Sequence, residues 1–321
     1  MLILDGAQMS SLLSFQQVIA AVEDSMIAYE RGEAKAPQRM HLDHENNTLL
    51  CMPSWGSRYF GTKLVTVMPG NKEMGLPVTN GAMLLNDGKT GLPLAILQAS
   101  KLTALRTGAL GAIGIKYMTP SDATSIGLIG CGVQGIHQAV FACVVRPIST
   151  IHYLHRTDEG SSRLISFLKN YFPDVVMERS DTADELLSKT NIIIAATTSS
   201  NPVLPDEVDK LRDKHFISIG SYKPSMQEFP DSIYRLAEQL FIDSEFARHE
   251  TGDTINPLKR GLLKEEAIFT LGKLITRRVK VNINKTTVFK SAGMAIFDLY
   301  VAQAMYEQAV KMKIGTTVPF T

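Results

Sequence analysis

Hydrophobic positions change rhythm along the chain. Near the N-terminus Val18, Ala21, Val22, Ala28 and Tyr29 recur at helical spacing. Ser14 stands three residues before Gln17 as in a capping box, and the spacing predicts a helix over 15–31 closed by Gly32. From 39 to 97 the rhythm is that of short strands, with runs at 48–52, 59–68, 82–86 and 94–98 between Gly, Pro, Asn and Asp clusters. That region reads as a mixed or antiparallel sheet. Small residues with Leu, Ile and Ala at helical spacing predict a helix over 101–117, ended by Thr119-Pro120, where a domain boundary is expected.

Beyond that point strands and helices alternate. Buried-type runs at 125–129, 151–154, 175–177, 191–196, 216–219 and 239–242 are separated by helical patterns, one starting near Val133 and one over 159–170. This βαβ spacing implies a parallel sheet with helices on both faces. An amphipathic pattern over 295–311 follows the last strand and is expected to return to the first domain. The expected class is therefore α/β, with a Rossmann-type doubly wound domain at 118–293. A second α+β domain comprises 1–117 and 294–321.

Composition narrows the partners. A chain of 321 residues suits two domains at roughly 100–200 residues each. Lys and Arg number 33 against 32 Asp and Glu, with no basic block, which leaves no footprint for nucleic acid. Apolar runs such as 192–196 fall far short of the roughly 20 residues that span a bilayer, and the N-terminus has no basic segment leading a long apolar one, so neither secretion nor membrane insertion is expected. Cys51, Cys131 and Cys143 are odd in number and scattered, which suits a reducing cytoplasm. His41-Leu42-Asp43-His44-Glu45 gathers two imidazoles and two carboxylates, but at a strand end and turn they face water, and no metal site is expected.

The sharpest local motif is Gly130-Cys131-Gly132-Val133-Gln134-Gly135, directly after the strand SIGLI and before a helical pattern. In that context the first Gly makes the turn, the second lets backbone approach a pyrophosphate, and the third permits close helix packing. The helix N-terminus adds free N–H groups and a positive dipole end. At the end of the next strand, where NAD enzymes usually place an acid for the ribose, the chain has His155-Arg156-Thr157. An Arg and a hydroxyl there suit a 2′-phosphate, which favours NADPH, while Asp158 just beyond keeps NADH as the alternative.

Pro37-Gln38-Arg39, the run from Gly61 to Thr66, Leu102-Thr103-Ala104-Leu105-Arg106-Thr107-Gly108-Ala109, the glycine loop, Ala195-Ala196-Thr197-Thr198 and Phe289-Lys290-Ser291-Ala292-Gly293 occur in one order. In this the chain resembles the ornithine cyclodeaminase/mu-crystallin family from about residue 1 to 315. The resemblance implies a homodimer built through the N-terminal domain, with substrate between that domain and the Rossmann domain. It implies a substrate carboxylate surrounded by Arg39, Lys63 and Arg106, the site being further lined by Thr79, Ser291 and Gly293. It also implies cofactor contacts at Thr107, Ala196, Thr197, Thr198 and Ser221, besides the glycine loop and His155 to Thr157. Lys63 lies among alternating apolar residues; burial there would lower its pKa and let it donate a proton, so Lys63 and Arg106 are the expected catalytic pair.

Two departures from the family pattern decide the expected reaction. Cyclodeaminases of this family carry a Gly-Gly-Asp-type motif whose Asp handles the side-chain amine; here the segment is Gly220-Ser221-Tyr222. A phenol, neutral near pH 7, does not replace a carboxylate that pairs with an ammonium. Leu50 also stands where cyclodeaminases carry a Glu. What remains is a carboxylate clamp and a hydride donor, which resembles the ketimine-reducing branch. The expected reaction is Δ1-pyrroline-2-carboxylate to L-proline, with the six-membered analogue to pipecolate as a second. The alternatives are ornithine cyclodeamination, alanine dehydrogenation and a non-catalytic dinucleotide binder.

Overall fold

Period-two alternation in the first hundred residues builds a seven-stranded sheet. In the computed structural model, which describes residues 1–320, its strands are β1 (Leu2–Leu4), β2 (Met40–His44), β3 (Asn47–Trp55), β4 (Tyr59–Val67), β5 (Thr79–Asp87) and β6 (Pro93–Gln98). With the short C-terminal strand Thr316–Thr317, they run in the order Thr316–Thr317, β1, β6, β5, β4, β3, β2. Only β1 and β6 pair in parallel; the rest are antiparallel. Register aligns Met52, Lys63, Met83, Leu97 and Leu4 in one row across the sheet, and all five are buried. A lysine thus occupies a core row. Helix α1 (Phe15–Glu30), capped by Ser14 and Gln17 as its sequence predicts, packs on the C-terminal helix Ala295–Met312, which in turn packs on β3, β4 and β5.

The helix expected over 101–117 forms, while the 41–45 segment and the division between the units differ from expectation. The 41–45 segment is mostly strand: β2 pairs with β3 through a turn where Glu45 has φ +53°. Because residues alternate along it, His41 and Asp43 face away from Leu42 and His44. The predicted helix is α2 (Ala99–Met118), continuous past the division of the chain into compact units. That division falls between Arg106 and Thr107, so one unit is Met1–Arg106 with the chain from Met294 onward and the other Thr107–Gly293. Close packing explains the earlier boundary: a Cβ on Gly108 would lie 2.5 Å from the Phe141 ring, and one on Gly114 2.7 Å from Phe289.

The second unit carries an eight-stranded, wholly parallel sheet of β7 (Ser125–Ile129), β8 (Thr150–Leu154), β9 (Val176–Arg179), β10 (Ile192–Ala195), β11 (His215–Ser218), β12 (Leu240–Ile242), β13 (Ile268–Thr270) and β14 (Thr287–Lys290). The order β13-β12-β14-β11-β10-β7-β8-β9 reverses direction between β7 and β10. In such a doubly wound sheet the crevice at the strands' carboxyl ends, at that reversal, is where ligands bind. Helices α3 (Val133–Val145) and α4 (Asp158–Lys169) follow β7 and β8. Among the described residues no helix is long and apolar enough to cross a membrane.

Candidate functional site

In the first unit three charged side chains meet inside the core. Strand alternation turns Lys63 onto the buried face of β4, helical spacing puts Thr103 and Arg106 on one side of α2, and Asp298 sits in the first turn of the C-terminal helix. There its carboxylate also suits the positive dipole end. Lys63 Nζ donates to Asp298 Oδ2 at 2.6 Å and to Thr103 Oγ1 at 3.3 Å, while Arg106 Nε donates to Asp298 Oδ1 at 3.2 Å. Lys63 is 2% exposed and Asp298 fully buried. Burial pushes the Lys63 ammonium down to about 8 against the attraction of Asp298, and the nearby Arg106 and Arg39 guanidiniums push the same way as burial. Two cations on one carboxylate leave this buried trio a net positive charge.

Sequence reasoning missed Asp298. Its signal was present: it is the one charged residue in the apolar stretch Ala295 to Ala302. Arg39, just before β2, is half-buried and close enough to act on Lys63. Leu50, two residues from Met52 on β3, shares the Lys63 face. Thr79 shares a face of β5 with Met83 but stands four residues along the strand and is exposed. Ser291 and Gly293 belong to the other unit, where the Ser291 hydroxyl and the Gly293 N–H donate to Asp243 Oδ2 at 2.7 and 2.6 Å. Their donors are therefore already committed to a buried carboxylate that sequence reading did not single out.

In the second unit the glycine loop has the geometry its motif requires. Gly130 has φ +95°, a conformation that side chains rarely adopt, and a Cβ there would lie 2.6 Å from Ala196 O. A Cβ on Gly135 would lie 1.9 Å from Gly130 O, so the helix cannot pack this closely with any other residue. Above Gly132 there is open space, and Val133 begins α3 with its free N–H groups. The buried Oε1 of Gln134 has no partner among the described residues. This cradle fits a diphosphate. Cys131 is buried and its thiol pushed up to about 12 by that burial, which makes it a filler rather than a nucleophile.

The residues after β8 divide their work. His155 Nδ1 accepts the Cys131 N–H at 3.2 Å, and burial, with Arg156, Arg163 and Arg179 nearby, lowers its pKa and keeps the ring a neutral acceptor. Thr157 caps α4, its hydroxyl accepting from Gly160 N, which leaves Arg156 as the exposed charge of the trio. Asp158 is held by Arg179 at 2.6 Å. After β10, Ala196 and Thr197 are half-buried and Thr198 exposed; Thr197 N and Oγ1 both donate to Glu228. Ser221 is fully buried, its N–H donated to Glu228 and its hydroxyl to Asp253, so it acts as scaffold. Thr107 is buried, its carbonyl accepting from Gln138. Tyr222 is half-buried, with the Lys223 ammonium 5.7 Å over its ring.

Comparison with known proteins adds to this geometry. The model of the ornithine cyclodeaminase/mu-crystallin family matches residues 2–313. The chain is 36% identical to a Δ1-pyrroline-2-carboxylate reductase of Bacillus thuringiensis subsp. konkukian over the full length of both. Among solved structures, the Δ1-pyrroline-2-carboxylate reductase of Thermococcus litoralis in complex with NADH and L-proline superposes with a TM-score of 0.92 at 31% identity, covering 99% of this chain and 100% of that one. An archaeal alanine dehydrogenase dimer with bound NAD also gives 0.92, at 28% identity over 100% and 99% of the two chains.

Proposed function

The chain belongs to the ornithine cyclodeaminase/mu-crystallin family, and on that premise we propose that it reduces the C=N bond of a cyclic ketimine carboxylate, converting Δ1-pyrroline-2-carboxylate to L-proline. Δ1-Piperideine-2-carboxylate, giving L-pipecolate, is the second substrate. The observation that carries this reading is the buried trio of Lys63, Arg106 and Asp298, whose surplus positive charge calls for an anion. A guanidinium suits a carboxylate's planar geometry, so Arg106, with Arg39 nearby, holds the substrate carboxylate. The glycine loop would hold the diphosphate of a reduced dinucleotide, whose nicotinamide would supply the hydride. As the C=N π bond breaks, C2 takes that hydride with its electron pair and the ring nitrogen takes a proton. Lys63, protonated below about 8, donates that proton or the hydrogen bond that polarises the nitrogen.

The same residues weigh against the alternatives. An ornithine side chain brings an ammonium, and where cyclodeaminases of the family carry an Asp for it this chain has Tyr222, a phenol with the Lys223 cation beside it. Alanine dehydrogenation is weakened by the same missing acid. A purely structural dinucleotide binder has no use for a buried ionic trio, which adds little to stability relative to apolar packing.

NADPH is the preferred donor on the strength of Arg156, since the competing carboxylate of Asp158 is engaged by Arg179. The proposed assembly is a homodimer through the uncovered sheet face, where Met40, Leu42, Leu49, Trp55 and Leu64 are exposed. The archaeal relative described as a dimer supports it. Three cysteines without disulfides support a cytoplasmic setting.

The Lys63→Ala variant tests the assignment with Δ1-pyrroline-2-carboxylate as substrate. Its kcat is expected to fall by about 100-fold or more, the range of a lost general acid, with dinucleotide affinity unchanged. Full activity would remove Lys63, and the trio with it, from the reaction.

A further inference from the structure

Glu228 ends the segment that begins at Gly220 and has no role expected from the sequence, yet it is fully buried and five donors converge on it. Oε1 accepts from Thr197 N at 2.7 Å and Thr197 Oγ1 at 2.9 Å, on the loop beyond β10. Oε2 accepts from Gly220 N at 2.8 Å and Ser221 N at 3.2 Å, on the loop beyond β11, and from Ser218 Oγ at 2.8 Å. The two loops touch here: a Cβ on Gly220 would lie 1.9 Å from Thr197 O. Asp253 fixes the clamp itself, accepting from Glu228 N, Phe229 N, Ser221 Oγ and Tyr234 OH. Lys290 Nζ donates to Ser218 Oγ at 3.0 Å from the neighbouring strand.

We propose that Glu228 is a positioning residue that locks the loops beyond β10 and β11 together as the platform for the nicotinamide half of the dinucleotide. This rests on the dinucleotide reading above. With the diphosphate at the loop after β7 and the adenosine side running toward β8, the other half of the cofactor falls on the carboxyl ends of β10 and β11. Backbone N–H groups in buried loops need acceptors, and one carboxylate supplies them to both loops at once. Loops ordered beforehand lose less entropy when the ligand arrives and hold the ring where it must react.

Glu228→Gln keeps the shape but turns an NH2 toward N–H donors, so one of the two loops loses its acceptor. NADH binding is read by nicotinamide fluorescence without any imine, so a failed substrate assignment leaves the test intact. A wild type that bound no NADH would overturn the dinucleotide reading and this platform with it. The expected result is a Kd at least about tenfold higher, with KM for NADH rising more than kcat falls. The alkaline limb of kcat set by Lys63 stays in place, and amide hydrogen exchange speeds up at Thr197, Gly220 and Ser221 but not in the glycine loop. A folded variant with unchanged Kd and exchange overturns the proposal. If the variant does not fold, wild-type exchange without NADH decides: protection of those three amides comparable to β10 supports the clamp, and rapid exchange refutes it.

Discussion

At the scale of single residues, the environment of Lys63 sets the pH behaviour of the proposed reaction. Imine reduction uses the ammonium form, so with the group held at about 8 the rate should fall as pH rises through that value, while proline oxidation should rise through the same range. The neighbours pull in opposite directions. Asp298 raises the Lys63 pKa, so Asp298→Asn should move the alkaline limb of the kcat profile to lower pH. Arg106 lowers it, so Arg106→Ala should move the limb up while raising the KM for the imine by about 10- to 100-fold, the value of a charge-assisted hydrogen bond. Both profiles follow from steady-state rates between pH 6 and about 10, a window that brackets a lysine pKa lowered in this way. Limbs that coincide with wild type would show that Lys63 does not titrate in the reaction. Lys63 and Arg106 were legible because their flanking motifs are local. Asp298 carries only the mark of a lone charge in an apolar stretch, and its partners, 235 and 192 residues away along the chain, give that mark no local meaning.

At the scale of elements, the strand–loop–helix of β7 and α3 is the part the sequence describes most fully. Apolar periodicity marks the strand and helix, and each glycine answers a contact that a Cβ would make impossible. Gly135→Ala should therefore force the loop open and weaken NADH binding by at least tenfold, of order the 1 to 3 kcal/mol typical of overpacking; an unaltered fluorescence titration would contradict the cradle. Arg156→Ala should lower the NADPH-to-NADH ratio of kcat/KM, and an unchanged ratio would place 2′-phosphate recognition elsewhere. The strands β13 and β14 escaped the sequence pattern because they are short and out of order, β14 entering between β12 and β11 with a lysine in its run. Carboxylates such as Glu228 and Asp243 escaped for another reason: the donors they gather are largely backbone N–H groups, which leave no mark in a sequence.

At the scale of the whole molecule, the seven-stranded sheet is covered by helices on one face, while the other exposes Leu64, at 47%, beside the strands that carry Met40, Leu42 and Trp55. Trp55 and Phe60 stack there with ring centroids 4.3 Å apart. Leu64→Glu should split the proposed dimer, as sedimentation would show by a halved mass; an unchanged mass would move the interface elsewhere. The claim on which everything else depends is chemical. It is tested most directly by following nicotinamide absorbance with Δ1-pyrroline-2-carboxylate and NADPH or NADH, and in parallel assaying ammonia from L-ornithine with NAD. Oxidation of the reduced cofactor by the imine, with no ammonia from ornithine, is the predicted result. Ammonia release from ornithine, or no turnover of the imine, would contradict it.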